Sequence, residues 1–327
     1  YSVVDGLFVS NFVGKTPFAA INLIMPILII LGALGFMIGT GGSAIVAKTL
    51  GEGDPARANR YFSMLVYTTV VGGAVLAAAG ELSLPIVSEL LGAEGAMLQD
   101  CILYGRIILA ALPAFMLQNV FQSFMITAEK SRLGLAVTVA AGLTNMVLDF
   151  VFIVPLGWGL AGAAIATAIS QVIGGAVPIV YFARKNDSLL RLTKAKFEGR
   201  ILLRTCTNGS SELMSNISAS IVTMLYNFQL MRLAGEDGIA AYGVVMYVNF
   251  VFSAIFIGYS IGAAPVIGYH YGAQNHAELK NLFRKSMRLI GLISITLTAL
   301  AILWAAPLSL IFVGDDAALL QLTIRGL

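Results

Sequence analysis

Long apolar blocks separated by short polar turns dominate the sequence. Residues 107–128, 213–231, 239–269 and 289–314 contain no Asp, Glu, Lys or Arg. Such blocks have the length, about 20 residues, that a helix needs to cross a bilayer. Lipid offers no hydrogen bonds to backbone groups, so a spanning segment must be a helix or part of a closed barrel. The apolar runs are continuous rather than alternating, which excludes the barrel. Punctuation by Gly, Pro and charge predicts helical segments near 1–13, 17–47, 60–90, 97–127, 132–155, 160–183, 200–232, 238–269, 282–312 and from 317 onward.

Composition agrees with the pattern. The chain is 58% hydrophobic and 11% charged, with a mean hydropathy of +0.88. A soluble domain carries roughly a quarter of its residues charged. The expectation is therefore an all-α polytopic membrane protein.

The placement of charge carries more than its total. One set of alternate loops holds Lys48, Arg57, Arg60, Lys130, Arg132, Arg184, Lys185, Arg191, Lys194, Lys196, Arg200, Arg204, Lys280, Arg284, Lys285 and Arg288. The opposite set holds only Lys15 and Arg232, beside Glu94, Glu236, Asp237, Asp315 and Asp316. Basic loops stay on the cytoplasmic side, so a cytoplasmic N-terminus and residence in the cell (inner or plasma) membrane are expected. The polar stretch 184–204 reads as a solvated linker held near anionic lipid. The chain lacks an initiating Met, opens inside one apolar stretch and closes inside another. A fragment, clipped in its first helix and lacking its last ones, is the expectation.

Sliding the sequence along itself by 221 residues reveals a repeat. Gly14, Ala19, Ala20, Met25, Gly41, Gly51, Ala56 and Phe62 fall on Gly235, Ala240, Ala241, Met246, Gly262, Gly272, Ala277 and Phe283. In both copies a small-residue run, a Gly and a polar turn follow one another. Six helices separate the copies, so both halves insert the same way. The predicted architecture is two six-helix bundles related as parallel repeats. It has twelve helices when intact, with about nine and a half present. The lobes are expected at 1–190 and 191–327. Such repeats occur in transporters that rock one half against the other.

Ionisable groups in hydrocarbon are functional candidates by default. Asp5, Arg106, Asp149 and Glu212 qualify; Glu81 and Asp100 sit near helix ends and can snorkel to the interface. Arg106 is expected to be structural. The i,i+4 spacing of Asn145-Met-Val-Leu-Asp149 puts both side chains on one helix face, and Thr167 lies on the returning helix. Carboxylates with an amide and a hydroxyl form an oxygen shell for a hard monovalent cation, or a proton site. A hydrogen-bonded helix clamp explains the same residues. Glu212 attracts an organic cation, serves as a second coupling site, or caps its helix. His270 and His276 lie in a cytoplasmic turn and are not expected to shuttle protons. Cys101 and Cys206 show neither disulfide nor metal spacing and are expected to pack as small apolar residues. No metal-ligand cluster, Ser–His pairing or CxxC motif appears. Neither an enzyme, a cofactor nor a nucleic-acid partner is expected.

On these residues the chain resembles the multidrug and toxic compound extrusion family, in its bacterial and archaeal form. The resemblance is carried by Val4-Asp5-Gly-Leu-Phe-Val, the glycine-bearing loops after helices two and eight, Asn145-Met-Val-Leu-Asp149, and Gly159-Leu-Ala-Gly-Ala-Ala-Ile-Ala-Thr167. It implies two six-helix lobes around a cleft and exchange of entering Na⁺ or H⁺ for departing cationic amphipathic compounds. It implies a first-lobe ion site at Asp5, Asn145, Asp149 and Thr167, with no metal beyond that Na⁺. A helix-seven acid used by some members falls on Glu212. The repeat partner of Asp5 is Tyr226, so the first-lobe acid is not duplicated. Alternating access, helped by Pro26 in helix two, is the expected mechanism. Small organic cations and the bilayer are the expected partners, and a monomer the expected state. The alternative is a flippase for lipid-linked oligosaccharide or another lipid of the same broad superfamily. Such a flippase needs a basic cavity, yet Arg106 alone is basic away from the ends of the predicted spans.

Overall fold

In the computed structural model the backbone is described over residues 8–313. Side-chain surroundings are described at 8–219 other than 10, 11 and 15, at 221, 222, 225, 226 and 229, and at 252–304. The described residues form helices joined by turns and one extended strap, and contain no strand. After a π-helical turn, Val9–Val13, come α1 (Lys15–Gly51), α2 (Pro55–Leu90), α3 (Gly95–Ala110) and α4 (Leu112–Thr127). They are followed by α5 (Ser131–Ile153), α6 (Gly159–Ala183), α7 (Gly199–Gly272) and α8 (His276–Val313). Six helical stretches among the described residues are long and apolar enough to cross a membrane, seven if α3 and α4 form one span. The protein is a multi-pass, all-α membrane protein.

Local chemistry explains the breaks. Gly14, at φ 132°, ends the π-helical turn. Asp54 accepts a hydrogen bond from the Arg57 amide at 2.9 Å, and Pro55 follows at the first position of α2, where its missing N–H costs nothing. The sequence predicts one helix over 97–127, but the structure breaks it at Ala111 into α3 and α4, bent by 54°. Pro113 is the cause: it lacks the N–H that would reach the Leu109 carbonyl. Segments 200–232 and 238–269 are expected as two helices, yet α7 is continuous from Gly199 to Gly272. No proline interrupts residues 233–237, and the one glycine there, Gly235, costs a helix only about 1 kcal/mol.

The chain divides into two compact units, 1–216 and 217–327. The first is a bundle in which α1 packs on α2, α3 and α4, α4 on α6, and α5 on α6. Its core includes Phe62, whose ring lies 5.0 Å from both Phe124 and Phe182, edge to face. In the second unit Tyr259 donates to the Ser286 Oγ at 2.6 Å, joining α7 to α8.

The 221-residue repeat is visible in the turns. α1 ends at Gly51 and α7 at Gly272; α2 starts at Pro55 and α8 at His276. The Asp54 cap has its counterpart in Asn275, which accepts from the Glu278 amide at 3.1 Å. Positive φ falls on Gly53 and on Gln274, again 221 positions apart.

The stretch from Arg184 to α7 departs from a solvated linker. The Arg191 amide donates to Asn59 Oδ1 at 2.7 Å and the Thr193 amide to Ser63 Oγ at 2.8 Å. Tyr67 donates to the Thr193 carbonyl at 3.2 Å. Leu190 is fully buried, and Lys130 reaches Asp187 at 2.9 Å. The segment is a strap along α2. Its basic side chains remain outward, but its backbone spends its polar groups on the bundle.

Candidate functional site

The α5–α6 hairpin builds the site. Its turn runs through Gly157 and Gly159, both at positive φ, a conformation that glycine adopts without penalty. The small-residue start of α6 then lies flat on α5. A Cβ on Gly162 would fall 2.9 Å from Phe152 Cβ, and Ala163, Ala164 and Ala166 have no exposed surface. Phe152 stacks on Trp158 at 4.8 Å. The turn Val9–Val13 packs against α1, α5 and α6. Just before it, Phe8 meets Phe150 edge-on at 6.4 Å.

Close approach brings three of the expected residues together. Asn145 and Asp149 occupy successive turns of α5 and are both fully buried, while Thr167 on α6 is 5% exposed. Asn145 Nδ2 donates to Thr167 Oγ1 at 3.3 Å. Asn145 Oδ1 has no hydrogen-bond partner among the described residues. Thr167 is held in turn, since Ser170 Oγ donates to its carbonyl at 2.8 Å. The cluster offers a carboxylate, an amide oxygen and a hydroxyl oxygen, hard donors suited to a hard cation. An isolated buried carboxylate is costly unless a cation, a donor or a proton compensates it. Asp5 lies outside the described residues.

Glu212 stands apart from this cluster. It is half-buried on α7, and its backbone carbonyl accepts from Asn216 Nδ2 at 2.8 Å. It follows Gly209 by three residues, and a Cβ on Gly209 would fall 1.9 Å from the Met37 carbonyl oxygen of α1. Arg106 pairs with Glu81 at 3.5 Å with its side chain 60% exposed. Cys101 packs fully buried, its Sγ 3.5 Å from the Ala20 carbonyl oxygen.

Two buried amides escape the sequence pattern, Gln171 on α6 and Gln118 on α4. They are 4% and 6% exposed, and the Oε1 of each has no partner among the described residues. The available signal was the spacing of Gln171, four residues after Thr167 on the same face.

Residues 1–151 and 213–325 match the family model described as MatE. The chain is 25% identical over 288 residues to the multidrug export protein MepA of Staphylococcus saprophyticus, covering 86% of this chain and 63% of that protein. Against MepA of Staphylococcus haemolyticus it is 25% identical over 321 residues, covering 97% and 68%. The chain thus spans about two thirds of the length of these curated relatives. Among solved structures, a MATE protein in complex with MaL6 superposes with a TM-score of 0.93 at 23% identity, over 99% of this chain and 74% of that one. A MOP superfamily transporter from Pyrococcus furiosus, described as having a binding pocket of reverse polarity, gives 0.90 at 23% identity over 99% and 73%.

Proposed function

The chain belongs to the MatE family, and we propose on that footing that it is part of a cation-coupled exporter of small, amphipathic organic cations. The observation that carries the reading is the fully buried Asp149 beside the Asn145–Thr167 pair, on two helices in backbone-close contact. In this reading Asp149, Asn145 and Thr167, with Asp5 of the first segment, take up Na⁺ or H⁺. The unpartnered Asn145 Oδ1 supports it, because a buried acceptor calls for an ion or a water. The lobes are 1–190 and 191–327, the N-terminus is cytoplasmic, and the transporter works as a monomer by alternating access. Glu212 faces the substrate cavity or serves as a second coupling group.

When the ion binds, Asp149 exchanges one compensating partner for another. The turn Val9–Val13, which packs on α5 and α6, shifts with it and changes the volume left for substrate. Pro26, inside α1, removes one backbone hydrogen bond and gives that helix a flexible point. The flippase alternative needs a basic cavity in the spans; Arg106 is exposed and paired with Glu81, which speaks against it in the first unit.

The test is ethidium efflux from vesicles containing the intact transporter, with a Na⁺ gradient or a pH gradient imposed separately. Efflux driven by one gradient and abolished in Asp149→Asn is expected. Efflux with unchanged ion dependence in that variant would refute the assignment, and no efflux of any organic cation would refute the exporter.

A further inference from the structure

Helix spacing along α6 sets a series of buried carbonyl groups beyond the Asn145–Thr167 pair. Asn145 Oδ1 comes first, then Gln171 Oε1, both without hydrogen-bond partners among the described residues. Gly174 follows on the same face of α6, three residues on. Pro178 lies inside α6 and has no N–H, so the Gly174 carbonyl loses its helical i+4 donor. Opposite Gly174 stands Gln118 of α4: a Cβ on Gly174 would fall 2.7 Å from its Cδ. Its Oε1 is the last unpartnered oxygen of the row. Gln118 and Gly174 open on a cavity of ≈ 10 Å³ whose other walls include Gln122, Met125, Thr138 and Pro178. That is room for about one water molecule. From Thr167 to Gly174 the row covers about 10 Å of α6. It leads away from the α5–α6 turn, toward the end of the unit that bears Lys130, Arg132, Arg184 and Lys185.

Buried acceptors without partners are rare, and each calls for a water or an ion. A bundle held only by apolar packing has no use for amides at 118 and 171. Carbonyl oxygens stabilise a passing cation or a file of water without a full negative charge to hold it, the balance that conduction requires. We propose that this row is the passage by which the coupling ion leaves the Asp149 region for the Lys- and Arg-rich face of the lobe. The ion travels within the first unit, between α4, α5 and α6, as a hydrated cation or along a water file. Substrate then needs no part of this route. The proposal rests on the ion-coupling reading above.

The test compares Gln118→Leu and Gln171→Leu with the unaltered intact transporter and with Asp149→Asn, all in proteoliposomes. The passage predicts unchanged equilibrium affinity of both leucine variants for the coupling ion, measured by calorimetry. It also predicts gradient-driven ion uptake slowed about tenfold, as expected for losing one compensating hydrogen bond along the path. Gln118→Asn and Gln171→Asn, which keep a carbonyl, should recover most of the rate. Leucine variants with unaltered uptake overturn the passage and leave the coupling site standing. Leucine variants that lose ion affinity place the amides in the site itself, which also overturns it. Asp149→Asn with undiminished affinity overturns the coupling reading instead. Hydroxyl-radical footprinting of the unaltered protein needs no variant to fold. Water in the passage predicts oxidation of Met125, which is 1% exposed and lines the cavity, and none of Met116, equally buried at 2% and away from it. An unmodified Met125 overturns the proposal.

Discussion

The crossing of α1 and α7 makes the sharpest prediction about stability. A Cβ on Gly209 would lie 1.9 Å from the Met37 carbonyl oxygen, and one on Gly41 would lie 2.0 Å from that of Thr205. Ordinary contact begins near 3.4 Å, so a single methyl group must force the helices apart by about 1.5 Å. Both obstructing atoms are backbone, so no side chain can rotate away. In Gly209→Ala the helix gains about 1 kcal/mol of propensity. Against this, overpacking costs roughly 1–3 kcal/mol, and a backbone obstruction belongs at the top of that range. The net expectation is a loss of about 2 kcal/mol. Gly72→Ala on α2 is the control, since nothing lies within 4 Å of its Cβ position; only the propensity term acts, a gain of up to about 1 kcal/mol. Thermal unfolding in detergent can be followed with a thiol-reactive fluorogenic dye, because Cys101 is buried and Cys206 half-buried. Gly209→Ala should melt several degrees below Gly72→Ala. The double variant Gly41→Ala/Gly209→Ala should lose less than the two single losses together, because separated helices have room for the second methyl. A Gly209→Ala protein melting with or above the Gly72→Ala control would refute the close crossing.

Phe62→Ala should be the most damaging single truncation near the strap, at about 3–5 kcal/mol, because its ring packs on both Phe124 and Phe182; a small shift in the same melting assay would contradict this. The strap has a pH signature. The Lys130 hydrogen bond, first among the causes, holds the Asp187 carboxyl below its ordinary range. Its contribution is therefore complete above that range and lost as pH falls through the lowered value. The same bond raises the Lys130 ammonium, so its contribution is lost as pH rises above the ordinary lysine range. Hydrogen exchange at residues 186–193, taken relative to the intrinsic rate of each amide at that pH, should stay flat around neutrality and rise at both extremes, with the acid rise absent in Asp187→Asn. An unaltered acid rise in that variant removes Asp187 as its cause. Asn59→Ala, which deprives the Arg191 amide of its acceptor, should speed exchange at that amide without altering the melting of the bundle. Unchanged exchange at Arg191 would show the strap held by other contacts.

The sequence makes the spans legible because lipid imposes one rule on them: no polar group without a partner and no charge without a reason. It exposes Asn145 and Asp149 for the same reason, since a carboxylate one turn from an amide stands out in an apolar run. The repeated turn is legible because its polar cap, at Asp54 and Asn275, and its left-handed position, at Gly53 and Gln274, are local. What stays hidden depends on tertiary contact. Pro113 lies in an apolar run that a straight helix tolerates on paper, and only the packing of α3 and α4 shows the 54° bend. The strap looks solvated because its partners, Asn59, Ser63 and Tyr67, are more than 120 residues away in the chain. Gln118 and Gln171 pass as ordinary polar residues until their burial is known.

The proline positions connect packing to the motion that transport requires. Pro26 and Pro178 each remove one backbone hydrogen bond inside α1 and α6, and Pro113 removes the one that would join α4 to α3. In hydrocarbon no water replaces such a bond, so neighbouring helices must satisfy the freed carbonyl or leave it open. Pro113 lies five residues before Gln118, and Pro178 frees the carbonyl of Gly174, so two of the three flank the buried oxygen row. The Lys- and Arg-rich end of the lobe is built differently, with interlocked rings at Phe62, Phe121, Phe124 and Phe182 and a strap tied across α2. Aromatic packing centred on Phe62, with weakened helix backbones at Pro113 and Pro178, concentrates bending beside the buried amides. A cation entering or leaving that region would therefore act on the part of the bundle least able to resist it.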